Sequence, residues 1–156
     1  MTTETWPGAV TVFVSHTTPV SKLMELLAKK TGCGMGNLDV PWKTLDSRLL
    51  APPEPSAEMK MGLLADGKDM SSPEALLLAE QKSARAATVR ELLMFLWTFP
   101  EEQLNYPIVA LGEPDAVDGP IVAYSYVVGG ARMVFIGKPS ETCKWEAGCR
   151  FLVVPV

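Results

Sequence analysis

The chain has too little histidine and cysteine to suggest a Cys/His metal site. His16 is the single histidine, and Cys33, Cys143 and Cys149 are the cysteines among 156 residues. A structural zinc ion needs a full tetrahedral set of such ligands, so we predict no metal and no cofactor. Cys143 and Cys149 flank a short loop and can close a small disulfide in an oxidising setting, but two reduced thiols are the favoured interpretation.

The chain also lacks an excess of basic residues and long apolar runs. Its formal net charge is −4, which leaves no basic field for a phosphate backbone and disfavours nucleic-acid binding. Apolar runs such as residues 121–128 are far shorter than the roughly 20 residues that a bilayer-spanning helix needs. The first residues lack the basic region and apolar core of a secretory signal. We therefore expect a cytoplasmic protein with no membrane partner.

The composition is that of a folded domain rich in turns. Apolar residues make up 47% of the chain and charged residues 21%, with 13 prolines and 12 glycines. A length of 156 residues fits one domain, so residues 1–156 are predicted to form a single domain. Within it, glycine and proline interrupt every periodic pattern over residues 31–70, which predicts an irregular, loop-rich insertion with short pieces such as residues 44–50.

The first helix signal lies at residues 20–30, where the apolar residues fall on one broad face. Thr18 is the expected N-cap and Pro19 the first helical residue. Gly32 follows at the position of a C-terminal cap. The pattern predicts a helix with one buried side.

The strongest helix signal lies at residues 89–99. Thr88 and Glu91 have the spacing of a capping box, in which each side chain bonds the backbone N–H of the other residue. Another helix is predicted over residues 72–85, beginning at Ser72-Pro73-Glu74. The core positions predicted from the two best helices are Leu27, Leu92, Leu96 and Trp97.

The last third of the chain is predicted to be mostly strand. Gly129-Gly130 indicates a two-residue hairpin, because glycine readily adopts the positive φ that such turns require. With helices between the first strand and the rest, the sequence predicts an α+β fold, a two-layer sandwich. In it, two or three helices pack on one face of a mixed, mostly antiparallel sheet of about five strands. The predicted strands are residues 10–14, 107–111, 121–128, 131–136 and 151–156.

No oriented nucleophile–base pair is identifiable in the sequence. His16 follows the first strand, which is a place where catalytic residues occur, but a general base needs an orienting partner that the sequence does not identify. A capping or surface histidine is the simpler interpretation. A small hydrolase or transferase using His16 or Cys33 is kept as an alternative, and the chain is predicted to be non-enzymatic.

Two groups of residues are candidates for contact with a protein partner. Trp42 and Trp145 lie in loop-like contexts, and tryptophan is enriched at binding hot spots; the alternative is that they plug the ends of the core. Glu113, Asp115 and Asp118 crowd one loop and can form an acidic contact surface. A solvated acidic connector is the simpler interpretation of that loop.

Residues 88–111 combine a capped helix, a Pro100-Glu101-Glu102 stop and a strand. The segment resembles the opening of many small uncharacterised bacterial and bacteriophage proteins. The resemblance implies a phage or mobile-element origin. Together these observations predict an interaction protein, such as a phage-encoded inhibitor of a host factor. The alternative is a virion component such as a head-decoration protein, and homo-oligomerisation is compatible with both.

Overall fold

The computed structural model describes residues 9–37, 46, 54–113, 121–138 and 144–156. In these ranges lie three α-helices: α1 (Val20–Thr31), α2 (Ser72–Gln81) and α3 (Val89–Thr98). A 3-10 turn spans Glu102–Leu104. The strands of the same ranges are β1 (Val10–Val14), β2 (Gly34–Asn37), β3 (Ala57–Leu64), β4 (Ala84–Ala86), β5 (Ile108–Ala110), β6 (Val122–Val128), β7 (Ala131–Gly137) and β8 (Arg150–Pro155).

The strands form one mixed sheet in the order β1-β3-β8-β5-β6-β7-β2, and the short β4 pairs with β8. The β5–β8 and β2–β7 pairs are parallel and the other pairs are antiparallel. The predicted α+β class with a mostly antiparallel mixed sheet is therefore confirmed. The five predicted strands correspond to β1, β5, β6, β7 and β8.

The sheet is wider than predicted because β2, β3 and β4 also belong to it. β3 runs from Ala57 to Leu64, inside the region predicted to be an irregular insertion, and that part of the prediction is wrong. Met59, Met61 and Leu63 alternate with Glu58 and Lys60, which is the pattern of a half-buried strand. The prolines before the strand obscured this alternation. Most of the predicted piece at residues 44–50 lies outside the described residues.

Helices α1 and α3 cover the face of the sheet that we call the inner face. Side chains alternate between the two faces along a strand. Ile108 and Ala110 of β5 share one buried cluster with Leu92 and Leu96 of α3 and Leu27 of α1. The exposed fraction of each of these three leucines is 1% or less. Their prediction as core positions is confirmed, as is the packing of two helices on one face.

The third helix, α2, lies on the opposite or outer face of the sheet. Ala75 of α2 shares a buried cluster with Val109 of β5 and Phe151 of β8, which alternate with the residues that point to the inner face. Ala79 packs with Ala84 and Val153 in the same way. The two-layer sandwich thus carries a partial third layer. Small alanines on the buried side of α2 allow it to pack against this face.

Helix α3 begins with the predicted capping box. Thr88 Oγ1 accepts the Glu91 N–H at 3.2 Å, and the Thr88 N–H donates to Glu91 Oε1 at 2.8 Å. Helix α2 has a capping box of the same kind, but its N-cap is Ser71. It ends at Gln81 instead of Arg85, because Ser83 adopts a positive φ of 58° before β4 begins.

The predicted cap of α1 by Thr18 is wrong. The N-cap residue is Pro19, which has no side-chain capping bond, and the Thr18 hydroxyl is hydrogen-bonded to Ser15 Oγ at 2.7 Å instead. The predicted C-cap is confirmed, since Gly32 has the left-handed conformation with a φ of 73°.

The prediction that Trp97 is a core residue is wrong, because 40% of this residue is exposed. One residue corresponds to a turn of about 100° around a helix, so Trp97 is turned away from the face that Leu96 buries. The Lys30 ammonium lies 3.9 Å from the centre of its ring.

No helix within the described ranges is long and apolar enough to cross a membrane.

Candidate functional site

An aromatic cluster occupies the outer face of β6 and β7, beside the part of that face that α2 covers. In β6, Ala123 belongs to the inner core, so the alternation places Tyr124 and Tyr126 on the outer face. Phe135 of β7 is the register partner of Tyr124 and lies on the same face. All three rings are half-buried.

The three rings stack on one another. The ring centres of Tyr126 and Phe135 are 4.7 Å apart with an interplanar angle of 8°. Tyr124 lies 5.7 Å from Tyr126 and 5.4 Å from Phe135, also nearly parallel. These values are typical of offset-stacked aromatic pairs. The ring faces are therefore largely turned toward each other.

Trp145 completes the cluster. Its backbone N–H and C=O pair with Met70 at 2.7 and 3.0 Å, which fixes the segment across the outer face. The indole Nε1–H donates to Ser72 Oγ at 2.9 Å, and the ring meets Tyr124 edge-on with centres 5.2 Å apart. Trp145 packs against the outer cluster and also lines a cleft, and its role in partner contact stays a prediction.

This cleft, which we call the aromatic cleft, has a volume of about 540 Å³. Leu104 lines it although 47% of this residue is exposed, and Val128 at the end of β6 is 49% exposed. Lys144 and Glu146 place opposite charges at its border. The lining residues are Gln103, Leu104, Asn105, Tyr106, Pro107, Tyr124, Tyr126, Val127, Lys144, Trp145, Glu146 and Cys149.

Gln103 holds one wall of the aromatic cleft in place. Only 2% of Gln103 is exposed. Its Nε2 donates to the carbonyls of Tyr126 at 3.2 Å and Met133 at 2.8 Å. The amide thereby ties the 3-10 turn to both β6 and β7. Burying such a group without partners is costly, so this turn is fixed to the strands that carry the aromatic cluster.

Glu113 is the described member of the predicted acidic surface, and it lies at the start of α3. Its Oε1 accepts the Val89 N–H at 3.0 Å, which satisfies a backbone donor at the helix N-terminus. Burial raises the pKa of Glu113, and the nearby Glu91 raises it further. Asp115, Asp118 and the other candidate, Trp42, lie outside the described residues.

The charged residues around Glu113 also form structural contacts. Glu91 accepts two bonds from Arg85, at 2.8 and 2.7 Å. Arg90 Nη1 donates to the Ser15 carbonyl at 2.8 Å and to the Thr18 carbonyl. The Arg90 bonds tie α3 to the residues that follow β1.

The two residues of the enzymatic alternative have no bond to each other. His16 Nδ1 lies 2.8 Å from the Glu54 carbonyl oxygen. Cys33 is 3% exposed, and burial raises the pKa of its thiol, which disfavours the reactive thiolate. Cys149 is a buried free thiol, and Cys143 lies outside the described residues. Within the described ranges no cluster of His, Cys, Asp or Glu is arranged to hold a metal ion.

Sequence reasoning found Trp145 but missed Tyr124, Tyr126 and Phe135. The segment Val122–Val128 was interpreted only as an apolar strand. Its two tyrosines are spaced two apart, so they had to share a face, and that spacing was the available signal. The partnership with Phe135 depends on the register set by the Gly129-Gly130 hairpin. No family model, curated protein or solved structure matches the chain.

Proposed function

We propose that this chain is a non-enzymatic protein–protein interaction protein and that the aromatic cleft is its contact surface. The observation that carries the proposal is the half-buried cluster of Tyr124, Tyr126, Phe135 and Trp145 on the outer face, with the exposed Leu104 in the lining of the same cleft. Tyrosine and tryptophan are the residues most enriched at the energetic centre of protein interfaces. Large exposed apolar patches, especially those with a polar rim, often mark sites of protein–protein contact.

The border of the cleft supports a protein partner. Lys144 and Glu146 line it together with Asn105, and a polar rim around an apolar centre is the usual anatomy of an interface. The charges at this rim have both signs, which suits a partner surface of mixed charge. They contribute more to orientation and association rate than to affinity.

Stacking of nucleic-acid bases is the less favoured use of these rings. A base-binding platform presents open ring faces and a positively charged groove. Here the faces of Tyr126 and Phe135 are turned toward each other at 4.7 Å, so the facing sides of these rings are not open to a base. The net charge of −4 also opposes a phosphate backbone.

Catalysis by His16 or Cys33 is also less favoured. The buried Cys33 has a raised thiol pKa because of burial, and thiolate chemistry requires the opposite shift. One ring nitrogen of His16 is already within hydrogen-bond distance of the Glu54 carbonyl. Neither side chain borders the aromatic cleft.

The kind of partner follows from the resemblance of residues 88–111 to small bacterial and bacteriophage proteins. We infer a phage-encoded inhibitor that acts on a host factor in the host cytoplasm by surface complementarity. The rival is a head-decoration protein, whose contacts are also apolar. Size-exclusion chromatography with light scattering separates the two, since a decoration protein trimerises or adheres to capsids and an inhibitor forms a complex with a host protein.

The test is affinity capture from a bacterial lysate, read by quantitative mass spectrometry. Tyr126→Ala is compared with wild type and with Leu77→Ala, which removes a side chain that is 54% exposed on α2, away from the cleft. We expect one host protein to be captured by wild type and Leu77→Ala and lost with Tyr126→Ala. Equal capture by all three, with Tyr126→Ala folded by its urea unfolding curve, contradicts the proposal.

A further inference from the structure

A second cleft, of about 510 Å³, lies at the end of the sheet where α3 stops. We call it the end cleft. It reaches the hydrophobic core, since Met61 and Phe95 line it and are 0% and 2% exposed. Leu63 and Phe99, both half-buried, form its walls. A volume of this size, lined by both apolar and polar side chains, is within the range of small-molecule sites.

One basic side chain, Arg150, lines the end cleft. Its guanidinium lies over the Tyr106 ring, 4.9 Å from the ring centre. Its described hydrogen bonds come from Nη1 alone, to the Gly148 and Cys149 carbonyls at 3.3 and 3.4 Å. Within the described residues no carboxylate lies at ion-pairing distance from it. The remaining donors of the guanidinium fork are suited to a bidentate carboxylate.

Glu102 is the acidic side chain that lines the same cleft. Its Oε2 accepts the hydroxyl hydrogen of Tyr106, which holds the carboxylate beside the tyrosine. The Tyr106 ring therefore lies between the two charges, with Glu102 on its hydroxyl and Arg150 over its face. Arg150 is thus the cationic side chain in the lining of the end cleft.

We propose that the end cleft binds an amphipathic carboxylate, with its alkyl chain against Leu63 and Phe99 and its carboxylate on Arg150. Leu63 and Phe99 keep part of their surface exposed, and covering that surface with an alkyl chain removes it from water and favours binding. The guanidinium selects an anionic head over a neutral or cationic one. The end cleft shares Tyr106 with the aromatic cleft, whereas Arg150 lines only the end cleft of the two.

Isothermal titration calorimetry with decanoate, below its micelle concentration, tests the site on the full chain. Decanol and decyltrimethylammonium have the same alkyl chain with a neutral or a cationic head. We expect saturable decanoate binding that Arg150→Gln weakens at least about tenfold. Both other probes are expected to bind at least about tenfold more weakly than decanoate to wild type.

Lys60→Gln is the matched control, because it removes one positive charge from the exposed side of β3 and does not line the cleft. It should leave decanoate affinity within about twofold. Urea unfolding checks each variant, and Arg150→Lys, which keeps the charge but not the fork, replaces Arg150→Gln if the latter does not fold. Absent decanoate binding, unchanged affinity in the Arg150 variant, or equal binding of all three probes overturns the proposal.

Discussion

At the scale of single residues, two neighbouring glutamates at the start of α3 have pKa values that are shifted in opposite directions. Burial raises the pKa of Glu91, but hydrogen bonds from Arg85 and Thr88 outweigh it, and the net pKa is lowered. Glu113 is buried with a single backbone bond, and its pKa is raised. The ionised form is therefore stabilised by folding at Glu91 and disfavoured at Glu113.

The same substitution should have opposite effects at these two positions. At pH 7, Glu91→Gln should lower the free energy of unfolding by about 1–3 kcal/mol, because it breaks charged hydrogen bonds. Glu113→Gln keeps an oxygen to accept the Val89 N–H and removes the buried charge, so it should raise the free energy of unfolding. Urea unfolding as a function of pH measures both effects.

The pH dependence fixes the sign of each effect. Because folding raises the pKa of Glu113, the protonated side chain contributes to folding stability. This contribution is fully present below the ordinary pKa of 4.5 and is lost as pH rises through the folded-state pKa. The advantage of Glu113→Gln should thus disappear in acid. The ionised Glu91 contributes to folding stability above pH 4.5, and this contribution is lost as pH falls through its lowered pKa. A less stable Glu113→Gln at pH 7 would mean that the carboxylate stabilises the fold.

At the scale of elements, α3 is the helix around which the core is built. Leu92 and Leu96 are 0% exposed, and Leu27 of α1 is 1% exposed. Each change to alanine should cost about 2–5 kcal/mol, because buried leucines leave cavities when truncated. Leu77→Ala on the exposed side of α2 is the control and should change stability by no more than about 0.5 kcal/mol. Losses below about 1 kcal/mol at all three core sites would show that the helix faces are misassigned.

Gly112 lies where the chain that follows β5 passes close to the end of β4. Its N–H donates to the Ala87 carbonyl at 2.8 Å, and a Cβ there would lie 2.0 Å from the Ala86 carbonyl oxygen. Backbone must move to relieve that contact, so Gly112→Ala should cost at least about 2 kcal/mol. Gly148→Ala is the control, because its Cβ would meet nothing within 4 Å. Equal melting temperatures of the two variants would contradict this packing.

The elements that the sequence predicted are those with strong local signals. The capping box at Thr88 and the glycine hairpin act within a few residues, and the structure has both. β4 has three residues and exists because it pairs with β8, which no local pattern shows. The position of α2 on the outer face also depends on where its alanines meet Val109 and Phe151. Long-range pairing is the part that a single sequence does not specify.

At the scale of the whole molecule, the chain is expected to unfold as one domain. β8 lies between β3 and β5, and β3 also pairs with β1, so the first and last thirds share one sheet. Removing β1 would expose Met61, which is 0% exposed. Limited proteolysis should therefore yield no stable fragment of residues 60–156. Such a fragment with cooperative unfolding of its own would show two domains.

The candidate site is formed by residues that are distant in the sequence and that the fold brings together. Trp145 was predicted from its loop context alone, whereas its neighbour Tyr124 lies on a strand more than twenty residues earlier. The hairpin register joins Tyr124 to Phe135, and the pairing with Met70 brings Trp145 beside them. Glu113 was grouped with Trp145 as a contact residue, but its carboxylate bonds the start of α3. The sequence identified types of residue, and the sheet determined which of them meet.

The most direct test of the central claim is calorimetric binding of the captured partner to wild type and variants. Tyr126→Ala and Trp145→Ala should each weaken binding by at least about 2 kcal/mol, or about 30-fold, because they truncate aromatic anchors. Leu77→Ala, His16→Ala and Cys33→Ala should bind as wild type does. If Tyr126→Ala and Trp145→Ala bind normally, or if His16→Ala or Cys33→Ala abolishes activity while binding and fold persist, the aromatic cleft is not the functional surface.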